Sequence, residues 1–135
     1  MSEKKLVEKA CSVLSLYGLD KERNSCALET KVLEFCSVLG KSKFGKCVRE
    51  SAVLTRKKIA ELRKKLAPEL SKPVTDEIVE RVIKELEFAG AGETTLAQLK
   101  DTVVKECASV SKTVDDLLTC IDESQKITWA LSSEL

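Results

Sequence analysis

The sequence predicts an all-α fold, a bundle of five to six mostly antiparallel helices with long third and fifth members. Three observations carry this. Aromatic residues make up only 4% of the chain, so Leu, Val, Ala and Ile must fill the core. Five glycines and two prolines in 135 residues leave little turn chemistry for many short strands. Apolar residues recur at steps of three and four, the period of a helix with one buried face. The length fits a single domain spanning 1–135. Sub-units 1–67 and 74–135, joined by the proline-containing linker 68–73, are the only division it suggests.

The first helix is expected from Glu3 to Tyr17, with Ser2 as its N-cap and Gly18 as its stop; Leu6, Val7, Ala10, Val13, Leu14 and Tyr17 line its apolar face. Asp20 is the expected cap of a second helix through Leu39. There Leu28, Val32, Leu33, Phe35, Cys36 and Leu39 face inward, and Gly40 ends the helix. Over residues 42–67, Phe44, Val48, Ala52, Thr55, Ile59, Leu62 and Leu66 form a seam sustained for about six turns. Pro68 and Pro73 break the chain after it.

A fourth helix starts at the N-cap Thr75. Val74 and Val79 are placed as a hydrophobic staple, and Asp76 and Glu77 sit where the helix dipole favours anions. Gly90–Gly92 closes it, and Thr95 with Gln98 forms a capping box for the next. Val103, Val110 and Leu117 continue the pattern as either one helix over 95–121 or two broken near Ser109–Thr113. A last short helix around Ser124–Leu131 carries Trp129.

The formal net charge of +1 conceals a segregation. Residues 1–40 balance six cations against six anions, residues 41–66 hold ten cations and two anions, and residues 67–135 hold seven cations and fourteen anions. The cationic run culminates in Thr55–Leu66, TRKKIAELRKKL. On a helix its members fall in ranks seven residues apart: Arg49, Arg56 and Arg63; Lys57 and Lys64; Lys58 and Lys65. These ranks surround nearly everything except the apolar seam, as expected of a solvated face with a strong positive potential.

An alternative bends this segment into a helix-turn-helix, Thr55 capping a second helix whose first residues face a DNA groove. On FGKCVRESAVLTRKKIAEL, together with the preceding CALETKVLEFCSVLG, residues 26–66 resemble the cyclin-type helical repeat. The resemblance implies a helical, nucleic-acid-associated module. It departs from that pattern at Val53, where glycine is usual, and at Arg49, where a small residue is usual.

Catalytic and metal sites are not expected. Histidine is absent, which removes the usual acid/base group near neutral pH and the common zinc ligand sets. The acidic pairs Glu85/Glu87, Asp115/Asp116 and Asp122/Glu123 point to different helix faces, and GAGETT lacks the spacing of a phosphate loop. No cofactor is implied. Cys11, Cys26, Cys36, Cys47, Cys107 and Cys120 contain no C-x-x-C pair and fall mostly on apolar phases. They are expected as buried free thiols of an intracellular protein, in cytoplasm or nucleus. The alternative is a disulfide-linked secreted helical carrier, with Cys36–Cys47 the most accessible bridge.

No run of about eighteen apolar residues spans a membrane, and the N-terminal apolar stretch is interrupted by Glu8 and Lys9, unlike a secretory leader. The expected function is therefore a non-enzymatic interaction module, an adaptor or complex subunit that binds a partner protein. The candidate contact residues are Arg49, Arg56, Lys57, Lys58, Arg63, Lys64 and Lys65, with Trp129 as an anchor. The alternative is nucleic-acid binding by the basic helix 42–66.

Overall fold

The computed structural model describes residues 2–87 and 99–135. Among them are six α-helices and no strand: α1 (Glu3–Leu14), α2 (Ser25–Ser37), α3 (Lys41–Lys65), α4 (Asp76–Glu87), α5 (Asp101–Val110) and α6 (Val114–Leu131). The glycine stop at Gly90–Gly92 and the Thr95/Gln98 box lie outside the described residues. No described helix is long and apolar enough to cross a membrane.

Ser2 caps α1 as expected, accepting from the Lys5 amide. The helix ends three residues early, at Leu14, and leaves Tyr17 exposed on the loop that follows. Gly18 in that loop has φ +150°, and a Cβ there would stand 2.4 Å from Asn24 Cα, so the close approach of the two strands of the loop requires glycine. Asp20 does not cap α2. Its carboxylate accepts the amides of Glu22 and Arg23 in a local turn, and Asn24, four residues later, caps the helix through the Ala27 amide. Both residue types favour caps. Phe35, expected inward, is 38% exposed because α2 buries the narrower face Leu28–Val32–Leu33–Cys36, and Leu39, 48% exposed, lies beyond the helix, which ends at Ser37 rather than Leu39.

Helix α3 is unbroken over 25 residues, and every residue of its predicted seam is buried. No turn occurs at Val53, so the helix-turn-helix expectation and its cyclin-like geometry do not hold. With neither glycine nor proline there, and the seam in register on both sides, nothing offsets the cost of opening the hydrogen-bond ladder. The residues after α3 form a 3₁₀ turn, Ala67–Glu69, and then dock on the start of α6. The amides of Val114 and Asp115 donate to the carbonyls of Lys72 and Leu70.

The long run after residue 99 divides. Ser111 is extended, and Thr113 and Asp116 form a reciprocal capping box that starts α6. No separate final helix exists, since α6 continues through Trp129 to Leu131. Val110, the last residue of α5, is exposed, while Val103 and Leu117 are buried.

The cysteine expectation is overturned. All six are paired, as Cys11–Cys26, Cys36–Cys47 and Cys107–Cys120, and none is free. Each bridge joins consecutive helices: α1 to α2, α2 to α3, and α5 to α6. The apolar phase of the cysteines holds, with Cys36, Cys47 and Cys107 buried and Cys11, Cys26 and Cys120 partly buried. In an antiparallel hairpin, however, that phase also brings one helix's inward cysteine onto its neighbour's, with Cα separations of 4.9–5.7 Å.

Two apolar clusters fill the interior. One gathers Leu28, the C-terminal half of α3 (Ile59, Leu62, Leu66), α4, α5 and the start of α6. The other gathers α1, Val32, Leu33 and Cys36 of α2, and Phe44, Cys47 and Val48 of α3. Between them, buried Ser51 and Thr55 on α3, Glu29 on α2, and Ser124, Gln125 and Thr128 on α6 form a polar layer.

Candidate interaction surface

The predicted basic residues all lie on α3, but the fold does not present them alike. Helices α3 and α6 run antiparallel, and the seven-residue step of Arg49, Arg56 and Arg63 meets the reverse step of Trp129, Asp122 and Asp115. Arg56 Nε donates to Asp122 at 3.0 Å, Arg63 bonds to Asp115 and to the Thr119 hydroxyl, and Arg49 stands 5.4 Å above the Trp129 ring centroid while donating to Ser132. This rank is a clasp between two helices. A cation over an indole face is attracted by its negative π surface, and Arg does this better than Lys because its planar head stacks.

A second set is tied within α3 or to α4: Lys58 pairs with Glu61 at 3.5 Å and Lys65 with Glu85 at 3.1 Å. Lys57 and Lys64 make no ion pair among the described residues and are exposed. The ten-to-two charge excess of this segment is thus partly neutralised by the acidic C-terminal region of the same chain. Each of these pairs is partly solvated and contributes at most about 1 kcal/mol.

Trp129, the expected anchor, is 42% exposed and its ring is engaged by Arg49. Arg49 stands over the ring, and Val53, one turn along α3 from Arg49, is 49% exposed. Beside them Gly45, Lys46, Arg49, Ser132 and Ser133 line an open groove of about 320 Å³. A second groove of about 400 Å³ lies between the 3₁₀ turn and α4, with Pro73, Ile78 and Val114 among Glu69, Lys72, Glu77 and Arg81. Its two cations and two anions give it no net preference for charge.

One buried ionic group, Glu29 with Lys100, has no counterpart among the expectations from sequence. Lys100 and Glu29 are fully buried and bonded at 2.5 Å, and Gln125 Nε2 donates to the other Glu29 oxygen at 2.7 Å. Burial pushes the Lys100 amine below the ordinary lysine range, an effect the Glu29 carboxylate opposes. A signal existed. Glu29 occupies the inward phase of α2, between Leu28 and Val32, where an unpaired carboxylate is not tolerated. Glu29, Lys100, Gln125 and Thr128 are fully buried, which makes the layer structural. No group of His, Cys, Asp and Glu that could hold a metal ion occurs among the described residues. Comparison with known protein families, curated proteins and solved structures finds no match to this chain.

Proposed function

We infer that this chain is a non-enzymatic interaction module that binds a partner protein at the corner where α3 meets the end of α6. The observation that carries this is the pre-stacked Arg49–Trp129 pair, with Val53 exposed one turn along α3 from Arg49. Trp and Arg dominate binding energy at protein interfaces, and a pair already held in place loses little conformational entropy on docking. Arg49 and Lys46 at the groove favour a partner that offers an apolar side chain next to a carboxylate.

The setting this supports is oxidising, in place of the cytoplasm or nucleus expected from the sequence, because three disulfides joining successive helices persist where thiols are not kept reduced. That setting also disfavours the nucleic-acid alternative, as does the engagement of Arg49, Arg56 and Arg63 with α6. The test is capture from extracellular fluid on immobilised protein, with the bound proteins identified by mass spectrometry. A partner retained by the wild type and by Lys84→Ala, but lost by a folded Trp129→Ala variant, is the expected result. An identical retained set for Trp129→Ala contradicts the assignment.

A further inference from the structure

With its arginine rank turned to α6, α3 keeps a second, solvent-facing stripe. Lys43, Lys46, Glu50, Val53, Lys57 and Lys64 follow one another on this side at steps of three, four or seven, and all are exposed. The stripe holds four ammonium groups and one carboxylate, and its only internal pair is a loose Lys46–Glu50 contact at 3.9 Å with both side chains well solvated. At 1.5 Å per residue the lysines extend over about 30 Å of straight helix. Such a line of like charge fits an extended polyanion better than a compact anion.

Four kinds of polyanion are distinguishable by chemistry: an acidic protein surface, single-stranded nucleic acid, duplex nucleic acid and an acidic polysaccharide. Protein interfaces are depleted in lysine and enriched in aromatics at their centres, and this stripe has lysines and no aromatic. Single-stranded nucleic acid needs stacking faces, which the stripe also lacks. Disulfides are rare in cytosolic and nuclear proteins, the compartments where duplex nucleic acid is concentrated, whereas this chain is closed by three. The polyanion that remains is extracellular.

We propose that the outer stripe of α3 binds a linear sulfated polysaccharide, with Lys43, Lys46, Lys57 and Lys64 pairing with successive sulfates. Lysine suits this role because its ammonium is a compact point charge on a flexible stem and adapts to irregular sulfate spacing. The stripe adjoins the Arg49–Trp129 corner and shares Lys46 with its groove, but Trp129→Ala leaves all four lysines in place and the lysine variant leaves Arg49 and Trp129 in place, so the two readings fail separately, although both share the oxidising setting.

The experiment is titration of the intact, oxidised protein with heparin, with hyaluronan as the unsulfated polysaccharide and a short DNA duplex as the competing polyanion. Binding to heparin is expected at about 150 mM salt, weakening as salt rises. The variant carrying Lys43→Gln, Lys46→Gln, Lys57→Gln and Lys64→Gln should lose affinity by at least about tenfold, while a control carrying Lys5→Gln, Lys21→Gln, Lys84→Gln and Lys105→Gln stays within about twofold. Both variants have the same net charge, and thermal melting establishes that each is folded. The proposal is overturned by absence of heparin binding at that salt, by equal losses in the two variants, or by hyaluronan or DNA binding as tightly as heparin.

Discussion

The two halves of the interior are held by different means. The cluster around α4, α5 and the C-terminal half of α3 comprises thirteen buried residues and one disulfide. The cluster around α1, α2 and the start of α3 has nine buried residues, two of them the bridged Cys36 and Cys47, and is closed by two disulfides. A smaller core buries less apolar surface and leans more on covalent constraint. No bridge crosses the polar layer between them, so the halves are coupled by α2, α3 and α6 passing through it and by the Glu29–Lys100 pair.

The largest expected effect follows from that difference. Replacing both bridges of the α1–α2 half, Cys11→Ala with Cys26→Ala and Cys36→Ala with Cys47→Ala, removes about 3 kcal/mol of chain-entropy stabilisation for each closed loop. Urea melts should then show the early loss of that half. Replacing Cys107 and Cys120 costs about as much as one of those bridges and leaves the larger cluster cooperative.

Next in size is the layer itself. Glu29→Ala strands a buried lysine and should cost about 3–5 kcal/mol, whereas changing Glu29 and Lys100 together to methionine should be close to neutral. An equal loss from both variants in thermal melts would show that the layer couples the halves through more than charge.

The smallest effects are acidic and superficial. Asp116 is held below the usual carboxylate range by the Thr113 amide and hydroxyl, and Asp20 by Arg23. Asp101 is pushed up by burial but lowered overall by Lys31. A carboxylate depressed in the folded state contributes stability that is full above its unfolded value of 3.8 and is lost as pH falls through the folded value. The contribution of these carboxylates to melting temperature should therefore be flat above about pH 5 and decline below 3.8, and Asp116→Asn should reduce the steepness of that decline.

How much of this the sequence disclosed depended on whether a feature is local. The α3 seam is a one-helix property, and every residue from Phe44 to Leu66 in it was legible from spacing. The Thr75 cap was legible for the same reason. Asp20 and Asn24 are both good caps, and choosing between them needed the turn around Gly18. The disulfides and the arginine clasp are pairings between helices. The sequence displays both partners of each, Arg49–Arg56–Arg63 and Asp115–Asp122–Trp129 at the same seven-residue step, without saying that α3 and α6 lie antiparallel in the register that joins them. Phase was readable and pairing was not.

The most direct test of the two-core account is native-state hydrogen exchange with and without reductant. With the bridges intact, protection should extend through both clusters. On reduction, amides of α1 and α2 should lose protection first, while α4, α6 and the C-terminal half of α3 keep theirs. Simultaneous loss in all helices, or loss in α5 and α6 ahead of α1 and α2, would contradict it.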